Sequence, residues 1–365
     1  MSTKADAAKK AAEKEAQSWG AEPTGGPIPV TILTGFLGAG KTTLLNRILR
    51  ENHGEKIAVI ENEFGEEGVD NEILADTKEQ IVEMNNGCIC CTVRGDLIRI
   101  LNNLYKRRAK GEFNFSRVII ETTGMADPGP VIQALITFPV ARTYRLGRVV
   151  TAVDAVQGMG TLDRHAEARK QVGVADEVVL TKADLAGSDL AGTDLAPLEA
   201  RIAGLSPGAR LHLSSLNHLA QPTLLDGIDP ADPNTRPSEV RAWLRAEAFE
   251  AADPVTHRED IGSFCLAFEE PLHWEHVSAW LDALVIAHGD DLLRVKGILA
   301  IAGRPRPVVV QAVQRLFSPP VELSAWPEGM AGSRIVFITR GLSQAYVTEV
   351  LDVIRTRPVA LDLAS

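Results

Sequence analysis

Four cysteines in 365 residues are too few for a disulfide framework. No stretch approaches the ~20 consecutive apolar residues of a membrane-spanning helix, so no span is expected. Basic residues are also short: 38 Lys and Arg against 48 Asp and Glu leave a net charge of −10. Binding nucleic acid draws on a basic face, which this balance argues against. Histidine is sparse, with eight residues and no His-rich tract. His273 and His276 have ligand-like spacing, but read better as two residues on a helix surface. Residues 2–17 lack the apolar core of a signal peptide and are too acidic for a transit peptide. Residues 1–27 therefore read as a frayed helix or disordered arm, and a soluble, cytoplasmic protein is expected.

What the chain does have begins with a phosphate-binding loop. Residues 35–42 read Gly-Phe-Leu-Gly-Ala-Gly-Lys-Thr, the G-x-x-x-x-G-K-[ST] pattern. An apolar, β-rich run at 30–33 precedes it, and 43–49 follow with Leu45, Ile48 and Leu49 at helical spacing. Gly35, Gly38 and Gly40 let the backbone wrap a phosphate, and the helix N-terminus adds its positive end. Lys41 is expected on the β- and γ-phosphates and Thr42 on Mg²⁺, with Thr43 completing the cradle.

The base is read from a second segment. A strand at 178–180 runs into Thr181-Lys182-Ala183-Asp184, the guanine pattern N-K-x-D with Thr in place of Asn. An Asp carboxylate accepts from guanine N1–H and the exocyclic amine together. Adenine offers no such pair, so Asp184 favours GTP. A third strand, 117–121, ends on Glu121 and is followed by Thr122-Thr123-Gly124. A carboxylate delivered there organises Mg²⁺ or water, and Gly124 can donate its N–H to the γ-phosphate. Lys41, Glu121 and Gly124 are the catalytic candidates.

Three of the four cysteines fall within four positions, Cys88, Cys90 and Cys91. Neighbouring cysteines bridge only through a strained ring, and the C-x-x-C spacing of a redox pair is absent. A cluster of soft ligands remains, suited to Zn²⁺ or similar ions rather than Mg²⁺. Buried, apolar cysteines at a helix start are the plainer alternative. Three adjacent thiols rarely complete a tetrahedral site. Glu61 and Glu66 are candidates for a further ligand, since residues 61–67 hold four carboxylates. A solvated acidic loop accounts for that run equally well.

These residues carry a resemblance. The chain resembles the CobW-type GTPases, a branch of the P-loop GTPases that includes urease and hydrogenase maturation proteins. The matching stretches are TGFLGAGKTTLL at 34–45, ENEFGEEGVD at 61–70, NGCICC at 86–91, ETTGMADPGP at 121–130, AVDA at 152–155 and TKADL at 181–185. RVKGIL at 294–299, VQAVQRLFS at 310–318, Trp326 and SRIVFI at 333–338 extend it. The resemblance implies a GTP-hydrolysing metal chaperone or insertase for zinc or cobalt, acting on a client metalloprotein. The His-rich loop of many zinc-delivering members is missing. The oligomeric state stays open, a homodimer included.

The organisation follows from the patterns. An α/β fold is expected: a P-loop NTPase domain over 28–225 with a mainly parallel sheet. A proline-containing linker is expected at 226–245. A smaller α+β domain over 246–365 follows, with helices on one face of its sheet. Cys265, inside its first strand, reads as packing. The expected mechanism is a switch in which GTP and metal affinity are coupled. A metal sensor or store with regulatory nucleotide binding, and a small-molecule P-loop kinase, are the competing classes.

Overall fold

The computed structural model describes residues 26–50, 56–61, 80–83, 91–186, 195–214, 225, 235, 237–250 and 261–356. The N-terminal arm over 1–25, the acidic loop with Glu66, and Cys88 and Cys90 lie outside the described residues.

The first half alternates strands and helices. In order these are β1 (Ile28–Gly35), α1 (Lys41–Arg50), β2 (Ile57–Glu61), β3 (Gln80–Glu83), α2 (Cys91–Ala109), β4 (Arg117–Glu121), α3 (Gly129–Ile136) and β5 (Tyr144–Asp154). Then come α4 (Gly158–Arg164), α5 (Ala166–Gly173), β6 (Glu177–Thr181), α6 (Ala183–Ala186), α7 (Ala196–Leu205) and β7 (Arg210–Leu213). The seven strands form one parallel sheet in the order β3-β2-β4-β1-β5-β6-β7. Helices cover both faces of such a sheet, so its central strands are buried on each side and read as unbroken apolar runs. Ile28, Val30 and Ile32 join one core cluster, whereas Leu33 joins another with Leu44, Leu45 and Ile48 of α1.

Parallel register brings the functional ends of the strands to one edge. Glu61 pairs with Glu121, Leu33 with Glu121, Gly35 with Ala152, and Asp154 with Thr181. β1 sits between β4 and β5, where the connections diverge and leave a crevice.

The second half begins with α8 (Pro237–Leu244) and α9 (Ala246–Glu250), followed by β8 (Ile261–Phe268), α10 (Trp274–His288), β9 (Leu292–Leu299) and β10 (Val308–Val313). β11 (Leu316–Phe317), β12 (Val321–Glu322), β13 (Ser333–Arg340) and α11 (Gln344–Arg355) complete it. The sheet is antiparallel, in the order β11-β10-β9-β13-β8, with β12 also on β10. On one face, Val295, Leu299, Ile335 and Phe337 meet Trp280 of α10 and Val347 and Leu351 of α11. Trp280 is fully buried and its indole donates to the Val347 carbonyl at 2.9 Å.

The other face corrects the expectation of helices on one side only. Val240, Trp243, Leu244 and Phe249 of α8 and α9 pack on Ile298, Val309 and Val336. Part of the stretch expected as linker is thus helix. Its prolines suggested a break, yet α8 opens on Pro237, a position where a missing N–H costs nothing.

The two halves share a packed and ion-paired joint. Ile261, Leu293, Val313 and Ile338 join the same core cluster as the parallel sheet. Lys296 lies 2.6 Å and Arg294 3.1 Å from Asp176, just before β6. Burial raises the Asp176 carboxyl, but these two cations outweigh it and hold the group well below the usual carboxylate range. Nearer the crevice, Gln314 donates to Asp127 at 3.0 Å and accepts from Gln133 at 2.7 Å.

Candidate nucleotide site

The phosphate loop leaves β1 at Gly35, whose φ is +144°. A Cβ there would lie 2.4 Å from the Ala152 carbonyl oxygen, so no other residue fits. Gly38 and Gly40 also have positive φ, +76° and +80°, the region that glycine enters without strain. The loop then closes onto α1, whose first residues are Lys41, Thr42 and Thr43.

A cavity of about 520 Å³ opens over this loop. Gly38, Gly40, Lys41, Thr42 and Thr43 line one side, and Glu61, Glu121 and Gly124 another, with Lys182 at the edge. Lys41 is largely buried, and its ammonium lies 3.4 Å from the Phe36 carbonyl. Burial pushes its pKa below the usual value, against the opposing pull of Glu121. A cation held this way is poised to gain a polyanion as partner.

The Thr42 hydroxyl donates to Glu121 Oε1 at 2.8 Å. This pair of hard oxygens suits Mg²⁺ better than a soft ion. Magnesium would be held by Thr42 and Glu121, and when bound it would neutralise charge on the phosphates. Behind them, the buried Thr122 hydroxyl donates to that of Thr34 at 2.8 Å. Gly124 approaches the phosphate loop so closely that a Cβ would lie 2.6 Å from Leu37 Cα. The fully buried Gln171 holds this segment, donating to the Gly124 and Ala126 carbonyls at 3.2 and 3.1 Å.

At 181–184, the segment expected to read the base, the structure shows what the Thr in place of Asn does. The Thr181 hydroxyl lies 2.7 Å from the Ala39 carbonyl and 3.2 Å from that of Val153, joining β6 to the phosphate loop. Lys182 adopts φ +58° and donates to the Gly38 carbonyl at 2.9 Å and to Asp154 at 2.6 Å. Burial raises the Asp154 carboxyl, but the hydrogen bonds from Lys182 and from two backbone N–H groups prevail and lower it. Asp184, in α6, has a buried Oδ1 with no hydrogen-bond partner among the described residues. An orphan acceptor fits a ligand that brings N–H donors, as guanine does.

Thr42, Glu121, Lys41, Gly124 and Glu61 are thus brought together. Cys91 opens α2, but no metal-binding group of three His, Cys, Asp or Glu occurs among the described residues. Asp154 and Gln171 escaped the reading of individual residues. Asp154 carries the same signal as Glu121, an apolar strand ending on an acid; Gln171 carries none. Cys265 packs at the edge of the α8–α9 cluster. Among the described residues no helix is long and apolar enough to cross a membrane.

Comparison with known proteins places this geometry in context. Residues 29–212 match the family model described as CobW/HypB/UreG, nucleotide-binding domain, and 261–355 match the cobalamin synthesis protein cobW C-terminal domain. The zinc chaperone YjiA of Escherichia coli K12 is 37% identical over 318 residues, covering 86% of this chain and 94% of the relative. The zinc chaperone CobW of Pseudomonas aeruginosa is 32% identical, covering 89% and 90%. The crystal structure of Zn(II)-bound YjiA GTPase superposes with a TM-score of 0.65 at 33% identity, covering 90% of this chain and 99% of that one. The chain belongs to the CobW/HypB/UreG family of nucleotide-binding proteins and carries the CobW C-terminal domain.

Proposed function

We propose that this protein is a GTP-hydrolysing metal chaperone that carries zinc to a client metalloprotein in the cytoplasm. Zinc is preferred to cobalt because the relatives named above are zinc chaperones and one is a Zn(II)-bound GTPase. Four cysteines in 365 residues, too few for a disulfide framework, suit a reducing compartment. GTP is the substrate, with Lys41 on the phosphates, Thr42 and Glu121 on magnesium, and Asp184 on the base.

The observation that carries the reading is the register of three strand ends. Glu61, Glu83 and Glu121 are neighbours across β2, β3 and β4. Glu121 faces the phosphate loop through Thr42. Glu61 begins the acidic segment, and the chain after Glu83 leads directly into Cys88, Cys90 and Cys91. The nucleotide's magnesium ligand and the starts of two connections, the acidic one after Glu61 and the thiol-bearing one after Glu83, therefore leave the sheet side by side. Adjacent strands lie only about 4.8 Å apart. A change at the γ-phosphate is therefore felt beside the strand ends from which both segments depart, the arrangement on which nucleotide switches act.

The chemistry asks little of the protein beyond placement. Lys41 and the backbone N–H groups of the loop meet charge on the phosphates, and Gly124 can offer its N–H to the γ-phosphate. Cys88, Cys90 and Cys91 would hold zinc as thiolates, with Glu61 or Glu66 as a weaker ligand.

Metal titration of the wild type and of a Cys88/Cys90/Cys91→Ser variant, with and without a non-hydrolysable GTP analogue, tests this. The analogue should tighten zinc binding, and zinc should tighten the analogue by the same factor, about 5–150-fold. Zinc binding should release protons, since thiols must ionise to ligate. Equal zinc affinity in the triple variant would remove the thiols from the site. Equal affinity with and without nucleotide would remove the switch.

A further inference from the structure

A second cavity, about 220 Å³, lies behind the phosphate loop. Phe36, Leu37, Val153, Leu162, Ala168 and Val172 give it apolar walls. Phe36 is held in place by stacking on His165, with ring centroids 4.3 Å apart. Among the described residues, the charged side chains on its lining are Asp154 and Lys182, paired with each other at 2.6 Å. Nothing in it therefore calls for a charged guest.

One buried polar group does call for a guest. Gln171 lines the cavity and has no exposed surface. Its Nε2 donates to the carbonyls of Gly124 and Ala126, which uses both of its N–H groups. That fixes the orientation of the amide and leaves Oε1 buried with no hydrogen-bond partner among the described residues. A buried acceptor without a donor is unfavourable and rare in native proteins. Size completes the description: an apolar cavity of about 150 Å³ takes up benzene, so this one has room for two fused rings.

We propose that this cavity binds an uncharged, mostly apolar small molecule of about nine or ten heavy atoms that carries one N–H or O–H and donates it to Gln171 Oε1. The site is distinct from the nucleotide cavity, but Leu37, Gly38 and Lys182 line both. Gln171 links the two as well, because it also anchors the Gly124 segment expected on the γ-phosphate. An occupant buttresses both. Its binding and that of nucleotide are coupled, by the same factor in each direction.

Indole and indene probe the cavity, since they share one fused-ring frame and only indole carries an N–H. Ligand-observed NMR titration of the full chain should show indole binding once per protein. Indene should bind about 5–10-fold more weakly, the loss of one buried hydrogen bond. Indole should also shift the affinity for a non-hydrolysable GTP analogue. Ala168→Leu fills the cavity and should abolish indole binding; Ala168→Val, a smaller step, should weaken it and serves if the larger side chain prevents folding. Equal affinities for indole and indene would overturn the role of Gln171. Indole binding that survives both Ala168 variants would place it elsewhere. No indole binding at its solubility limit would mean that the cavity holds only water.

Discussion

The hydroxyl of Thr181 lies 2.7 Å from the carbonyl of Ala39, so the residue that departs from the guanine pattern is the one that ties β6 to the phosphate loop. The bond is buried and joins segments 142 residues apart. Thr181→Val keeps the shape and removes the donor, leaving the Ala39 carbonyl unsatisfied. The expected loss is about 1–3 kcal/mol of stability, with weaker binding of GTP and GDP alike. Urea denaturation and nucleotide titration measure the two effects; an unchanged affinity would show that the tie does not shape the loop.

Lys41→Ala should lower GTP turnover by ~100-fold or more and greatly weaken nucleotide binding, with the fold retained. Lys41 is buried beside Glu121 at the start of α1 and lines the nucleotide cavity, the position from which its charge meets the phosphates. Phosphate release and circular dichroism on the same preparation decide the matter. Near-normal turnover in the folded variant would sink the phosphate-loop assignment.

Asp184→Asn should reduce the preference for GTP over ATP by about 5–150-fold, the range for one lost buried polar pairing. An amide cannot accept both guanine donors with a full charge. Competition binding with the two nucleotides reads the ratio directly, and unchanged discrimination would reduce 181–184 to a turn.

Asp176 predicts an acid-sensitive joint between the domains. Its carboxyl titrates below its ordinary 3.8 in the folded chain, with burial opposed by Arg294 and Lys296. A depressed acid binds fewer protons folded than unfolded, so its contribution is fully present above about pH 4 to 5 and is lost as pH falls below that. Asp176→Asn should flatten the acid limb of the stability curve. At neutral pH it should also cost about 3–5 kcal/mol, because two buried cations lose their counter-ion. Urea midpoints between pH 3 and 7 test both; parallel curves for wild type and variant would refute the linkage.

The buried strands of the first domain were legible because a parallel sheet covered on both faces leaves unbroken apolar runs such as Ile57–Ile60 and Val178–Leu180. The phosphate loop was legible because its glycines and Lys41 stand at fixed spacing. Thr181 was noticed but not understood, since its partner, Ala39, lies 142 residues away. Gln171 left no trace, because an amide that braces two carbonyls has no local pattern. The helices α8 and α9 were hidden by the prolines around them, and their apolar face makes sense only against Ile298 and Val336.

The joint described above also bears on how such a chain can be divided. Ile261 and Ile338 of the second sheet reach Gly173 in the first domain, where an added Cβ would come within 3.2 Å of Ile261 and 3.7 Å of Ile338. A cut placed between the two family matches would strip apolar cover from both pieces at once and strand Arg294 and Lys296 without their acid. The two matched regions therefore share one apolar seam. A chimera that exchanges the second domain must carry its own replacements for Ile261, Leu293, Val313 and Ile338, or the first domain is left with an open seam.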